Sequence, residues 1–235
     1  MTTYTGDVSP GGPPALRVLD EVEIRKASVG PMDNNAYHVT CRRAGAQLLV
    51  DAAADADRLL DLVREGSSSA RLDTVVTTHR HRDHLGALTS VVAVTGAAVA
   101  AGAPDADAIT QATGTPVARR LLDGDLVVVG HVTLEVVALR GHTPGSVALV
   151  YREPEHATAP GAAPGRAHVF TGDSLFPGGV GRTTTPEDFA SLYADVTARL
   201  FDRFDDATWV YPGHGRDTTL GAERPQLPHW RTRGW

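Results

Sequence analysis

The chain has 235 residues, 42% of them hydrophobic, and a formal net charge of −6 at pH 7. That length suits one large domain with a substantial core and is barely enough for two. No run of 18 or more apolar residues occurs, which argues against a transmembrane helix, and the mildly acidic balance without a basic block argues against a nucleic-acid-tracking surface. The single cysteine, Cys41, excludes an internal disulfide and any multi-cysteine zinc site. It lies in a strand-like run with no activating motif around it and reads as a buried, inert thiol.

In chain order, residues 1–14 are rich in Thr, Gly, Ser and Pro, with no basic segment leading into an apolar stretch. They read as a flexible arm (1–15) ahead of a single domain (16–235) in a cytoplasmic protein. Residues 16–29 read as one strand, and 35–42 and 47–50 as two more joined by a turn at Ala44-Gly45. Residues 54–65 carry Leu59, Leu60 and Val63 at helical spacing and stop at Gly66. The β-branched run 72–77 reads as a buried strand that delivers its C-terminal end to His79. A helix is expected over 83–94, a strand over 97–101 and a helix over 105–113. Strands follow at 126–129, 132–139 and 146–151. The Pro/Ala/Gly-rich stretch 153–166 reads as a protruding hairpin loop of low order. A strand over 169–171 ends at Asp173, a helix with Pro186 in its first turn covers 186–200, and a last strand, 208–211, leads to His214. This rhythm suits two packed sheets with helices outside, a layered α/β sandwich.

The chemistry concentrates in Thr78-His79-Arg80-His81-Arg82-Asp83-His84, where four metal-capable side chains fall within six residues directly after a buried strand. Imidazole and carboxylate are the ligands that divalent zinc, iron or manganese use. Three later turns repeat the pattern of a strand followed by one ligand beside glycine: Gly141-His142, Gly172-Asp173 and Gly213-His214-Gly215. His38, His131, His156, His168 and His229 lie outside these turns and read as strand-edge or surface histidines. The tail ends in Trp230-Arg231-Thr232-Arg233-Gly234-Trp235, whose tryptophans are expected to dock on the parent domain.

Over about residues 34–223 the chain resembles the metallo-β-lactamase superfamily, and within it the single-domain, glyoxalase II-like hydrolases. The resemblance implies an α/β fold of four layers, an αββα sandwich with two metals at one edge. By position, His79, His81 and His142 would hold one metal, Asp83, His84 and His214 the other, and Asp173 would bridge them. Asp51 matches an acid that relatives place behind the ligands. Arg182, in a Gly-Arg-Thr element, would bind a substrate carboxylate or form a structural salt bridge. Two ions roughly 3.5–4 Å apart can share a water, lower its pKa from about 15.7 towards 7, and clamp attacking and departing oxygens. Asp83 would orient the resulting hydroxide, and a thiolate leaving group demands no strong acid.

The expected cofactors are therefore two divalent ions, zinc foremost, with iron or manganese as alternatives. The expected substrate is a small-molecule thioester of the S-2-hydroxyacyl-thiol type; a lactone or other ester is the second choice, and a mononuclear-iron persulfide dioxygenase is the reading from another class. No nucleic-acid or membrane partner is expected, and a homodimer is the oligomer considered. Aspartate at 173, where many β-lactamases of the superfamily carry cysteine, argues against antibiotic hydrolysis. Only about twenty residues follow His214, so the helical domain that helps classical glyoxalase II bind glutathione is not expected. Pro212-Gly213-His214 resembles the hydrolases more than the Pro-Ala-His form of the dioxygenases.

Overall fold

The structure, a computed structural model, describes residues 4–67 and 71–234. Its first half builds a seven-stranded sheet from β1 (Ala15–Val18), β2 (Val22–Val29), β3 (Asn34–Cys41), β4 (Gln47–Val50), β5 (Thr74–Thr77), β6 (Ala98–Gly102) and β7 (Arg119–Leu121), which lie side by side in chain order. Strands β1 to β4 pair antiparallel; β4 to β7 run parallel, with α1 (Ala56–Gly66), α2 (Leu88–Thr95) and α3 (Ala106–Thr113) in the connections. The second half supplies β8 (Leu126–Val129), β9 (Val132–Ala138), β10 (Val147–Arg152) and β11 (Ala167–Gly172), then a two-stranded ribbon of β12 (Leu175–Phe176) and β13 (Gly179–Val180). After α4 (Pro186–Val196) come β14 (Trp209–Pro212), β15 (Thr218–Thr219), α5 (Leu220–Glu223) and α6 (Leu227–Arg233). The second sheet has the order β15-β14-β11-β10-β9-β8, with β14 parallel to β11.

Alternation along the strands sorts side chains into layers, because successive residues point to opposite faces. Leu48, Val50 and Val76 meet Leu149, Phe170 and Tyr211 in the core between the sheets. Their neighbours Leu49 and Val75 face outward under α1 and α2, while Val150, Val169 and Val210 face α4 and α6. The result is the expected four-layer αββα sandwich.

Several expected elements differ. Residues 16–29 are two strands, because the chain reverses at Asp20-Glu21, where Leu19 N–H bonds the Val22 carbonyl at 2.9 Å. The turn has a second use: Asp20 accepts hydrogen bonds from the backbone of Thr158 and Ala159. The 153–166 stretch is a hairpin connection between β10 and β11, as expected, but it is laced down rather than loosely ordered. Buried Glu153 accepts from Ala163 N–H and from Arg166, and binds His168 across the strand pair. The N-terminal arm is docked from Tyr4 onward, with the Tyr4 hydroxyl on Asp217 (2.9 Å) and the Gly6 carbonyl on Lys26 Nζ (2.8 Å); residues 1–3 lie outside the described residues. His38 and His168 are fully buried, not on edges or surface, whereas His131, His156 and His229 are exposed. Cys41 is buried and free, as expected. Trp230 is buried against Phe201, while Trp235 lies outside the described residues.

Burial, with the Arg25 guanidinium adding to it, pulls the His38 pKa down to about 3. The folded ring therefore stays neutral where the unfolded chain, near 6.5, takes up a proton, so this contribution to stability is present above pH 6.5 and lost as pH falls towards 3. From His38 alone, urea unfolding should lose about 2 kcal/mol between pH 7 and 5. His38→Gln should lose correspondingly less over that interval; equal losses would contradict the assignment.

Candidate metal centre

Parallel pairing sets up the site. Strands β4 and β5 end side by side, with Val50 opposite Val76, so the residues just beyond them, Asp51 and Thr78, become neighbours. Asp51 adopts a left-handed backbone (φ 59°), which turns its carboxylate into the sheet edge. There Oδ1 accepts from Thr78 N–H (2.7 Å), and Oδ2 accepts from Thr78 Oγ1 (2.8 Å) and His84 Nδ1 (2.9 Å). Thr78 Oγ1 gives its proton to Asp51, so it can only accept from His79 Nδ1, 3.0 Å away. Two imidazoles are thereby oriented by one carboxylate.

The helix expected over 83–94 starts only at Leu88, and the difference is functional. Residues Arg82–His84 form a 3-10 turn that directs Asp83 and His84 into the site. On the other sheet, β11 and β14 end in parallel, and Gly213 N–H bonds the Gly172 carbonyl (2.8 Å), which sets Asp173 beside His214. Glycine is required at both hinges. A Cβ on Gly172, already at φ 48°, would fall 2.5 Å from Thr78 Oγ1, and one on Gly213 would fall 2.0 Å from Asp173 Oδ1. The His142 turn is tied to the His79 loop by buried Asp105, which accepts from Thr143 Oγ1, Gly145 N–H and Arg80 N–H.

All seven expected ligands converge. Three groups have ligand atoms within 4.8 Å of one another: His79, His81 and His142; His79, His84 and Asp173; and Asp83, His84 and His214. His79 Nε2 stands 3.1 Å from His81 Nδ1 and 3.3 Å from His142 Nε2, and His84 Nε2 is 3.3 Å from His214 Nε2. Asp173 lies between the sets, with Oδ1 3.3 Å from His84 Nε2 and Oδ2 3.4 and 3.7 Å from Nε2 of His214 and His142.

The donor set fits divalent cations. His142 Nδ1 donates to the Arg182 carbonyl (2.6 Å) and His214 Nδ1 to the Met32 carbonyl (3.0 Å), and a carbonyl can only accept. In the neutral rings Nε2 then carries the lone pair, and such lone pairs crowded together at 3.3 Å call for a cation between them. Asp173 Oδ1 is buried without a hydrogen-bond partner, a costly state that a cation relieves. Nitrogen and oxygen ligands without sulfur suit zinc, iron or manganese alike.

Besides Asp105, two asparagines were not legible as site residues. Asn34 Nδ2 donates to Asp83 Oδ2 (2.9 Å), and Asn35 holds the His214 turn through its backbone N–H to Gly213 O (2.7 Å) and its side chain to the Pro212 and Gly215 carbonyls. The paired asparagines at the start of β3 were the only available signal. Arg182 does not form the salt bridge weighed for it; among the described residues its exposed side chain has no ion partner. It lines a cleft of about 390 Å³ that opens beside His142 and Asp173.

The family description "Metallo-beta-lactamase superfamily" matches residues 29–157, and the chain belongs to that superfamily. Within it, the chain is similar to the hydroxyacylglutathione hydrolase GloC of Haemophilus influenzae, at 28% identity over 77% of this chain and 85% of the other. It is 35% identical to the hydroxyacylglutathione hydrolase of Fuscovulum blasticum over 68% of this chain, but spans only 56% of that protein. Among solved structures, TTHA1623 in a di-iron-bound form superposes with a TM-score of 0.63 at 31% identity, over 86% of this chain and 98% of that one. ETHE1 from Myxococcus xanthus gives 0.70 at 27%, over 87% and 83%. Among the described residues, no helix is long and apolar enough to cross a membrane.

Burial opposes charge on His84, but Asp51 and Asp173 outweigh it and raise its pKa to about 10; Asp173 likewise raises His214 against burial. Burial favours the protonated form of Asp173, yet the facing imidazoles hold it far below the usual carboxylate range. In the metal-free protein at pH 7 a proton thus occupies His84, and a cation must displace it. Calorimetric titration with zinc at pH 7 should therefore show net proton release, seen as a heat that varies with the buffer's ionisation enthalpy. A buffer-independent heat would contradict this charge assignment.

Proposed function

We propose that this protein is a dinuclear metal-dependent hydrolase that cleaves a thioester of the S-2-hydroxyacyl-thiol type. The carrying observation is the convergence of two ligand triads on one shared carboxylate, with outer imidazole nitrogens oriented by fixed acceptors. His79, His81 and His142 would hold one ion, Asp83, His84 and His214 the other, and Asp173 would serve both. Bound there, the ions would supply Lewis acidity and a water that ionises near neutral pH.

The protein's own residues do the rest. Asp51 and Thr78 hold His79 and His84 in one tautomer and orientation, so the site need not reorganise during reaction. Asp83, fixed by Asn34, presents a carboxylate to orient the attacking water. The cleft lined by Phe176, Gly179 and Arg182 receives the substrate beside His142 and Asp173. Water oxygen bonds to the acyl carbon, the carbon–sulfur bond breaks, and the thiol departs as thiolate while the acyl part leaves as carboxylate, the two water protons passing to solvent by way of Asp83. A thiolate is stable enough to leave without a dedicated general acid.

The names of the relatives support this substrate class, and Gly213 supports the two-ion reading over a mononuclear-iron dioxygenase. An alanine methyl at 213 would meet Asp173 Oδ1 at 2.0 Å and the His84 ring at 2.9 Å, so this chain's glycine keeps the second triad intact.

Purified protein should carry two equivalents of metal and turn over S-D-lactoylglutathione in preference to lactones. One iron, with oxygen uptake on glutathione persulfide, would overturn the reading. His84→Ala should lower thioester turnover by roughly two orders of magnitude or more; unchanged turnover would refute the two-ion site. Gly213→Ala should reduce the metal content measured by elemental analysis from two equivalents towards one. Two retained equivalents would show that the clash is absorbed elsewhere.

A further inference from the structure

Of the seven ligands, only His214 sits between two glycines, Gly213 and Gly215. Glycine has the widest backbone freedom of any residue, so this turn cannot hold its imidazole by its own stiffness. Its order is imposed by partners from elsewhere in the chain. The ring Nδ1 reaches the Met32 carbonyl, and Asn35 and Tyr37 donate to the Pro212 carbonyl. The Gly215 carbonyl, one residue beyond the ligand, accepts from both Asn35 and Lys26.

Lys26 is the costly member of this set. It points from β2 into the layer between the sheets, on the face it shares with Ile24, and its side chain is fully buried. An ammonium has three protons, and each has an acceptor: Gly215 O (2.7 Å), Gly6 O (2.8 Å) and Asp217 Oδ1 (2.7 Å). Asp217 Oδ2 accepts in turn from Tyr4 Oη and Trp209 Nε1, both at 2.9 Å. The N-terminal arm thus supplies a partner to each charge.

A buried ion pair is a poor source of stability, because stripping water from two charges offsets their attraction. Apolar side chains of similar volume often serve as well. What an apolar side chain could not do here is donate to the Gly215 carbonyl. We infer that Lys26 is a positioning residue. Through Gly215 it sets His214 against Asp83 and His84, whose ligand atoms each stand 3.3 Å from His214 Nε2, and so sets the affinity of that triad for its ion. The N-terminal arm, which completes the lysine's hydrogen bonding, belongs to the same brace. The inference rests on the two-ion reading for its ligand.

Lys26→Met alone would strand the Asp217 carboxylate, so the deciding variant is Lys26→Met/Asp217→Asn, which removes both charges together. Glu153→Gln is the control. It weakens another buried ion pair, with His168, at the end of β10 remote from the metal centre. Zinc affinities are measured by competition with a chromogenic chelator. The double variant should bind one ion as wild type does and the other about tenfold or more weakly, with turnover regained as zinc is raised. Glu153→Gln should bind both as wild type does. In the metal-free proteins, hydrogen exchange read by mass spectrometry should quicken about tenfold across residues 212–217 of the double variant and stay unchanged at the His142 turn. Two wild-type affinities in the double variant would overturn the inference, and so would an equal weakening of both ions. If wild type takes up a single ion, the two-ion reading fails and the exchange rates decide. Quickening confined to 212–217 upholds Lys26 as the brace of His214, and unchanged exchange overturns it.

Discussion

One buried carboxylate organises the centre. Asp51 spends its two oxygens on Thr78 and His84, and through the Thr78 hydroxyl it also sets the His79 ring. Its left-handed backbone and full burial are costs that a structure retains only where surrounding contacts enforce them. The enforcement comes from the parallel pairing of β4 with β5, which leaves the residue no other place to point. His79 also stands with His81 and His142, and His84 with Asp83 and His214, so a single buried acid ties these two neighbouring clusters together.

His142, Asp173 and His214 come from the opposite sheet, and the two sheets meet at this edge through backbone contacts. Val147 N–H bonds the Thr78 carbonyl (2.9 Å), Asn35 N–H bonds the Gly213 carbonyl, and Asp105 stitches the His142 turn to the His79 loop. Lys26 adds a buried clamp, with Nζ bonded to the carbonyls of Gly6 and Gly215 and to Asp217 Oδ1 at 2.7–2.8 Å. Removing one partner from such a buried, fully bonded pair costs far more than the pair itself contributes. The turn carrying His214 is therefore braced from behind by the N-terminal arm, and the metal centre depends on the whole sandwich rather than on its ligand loops.

How much of this was legible in the sequence follows from the range of each signal. The ligand turns were legible because metal chemistry restricts residue types at short spacing: three histidines and an aspartate within six positions, and glycine beside each later ligand. The layers were legible because burial on both faces leaves a continuous apolar run such as that of β10. The split of 16–29 was not, since a two-residue reversal at Asp20-Glu21 looks like a polar alternation within one strand. Nor was the late start of α2, because Asp83 and His84 suit a helix N-terminus until the site's demand for inward-facing ligands is known. The 153–166 loop has the composition of disorder, yet Glu153 at its own start and Asp20, far away in sequence, bond it down. Asp105 and Lys26 act across more than 20 residues, and no local pattern announces such partners.

The account stands on two cations sharing the Asp173 carboxylate between a three-histidine set and an Asp83–His84–His214 set. Anomalous diffraction at the metal edge, from crystals of the metal-loaded protein, tests that claim most directly. Two peaks flanking Asp173, one within each triad, are the predicted result. A single peak, or density that leaves Asp83 and His214 without a metal contact, would contradict it.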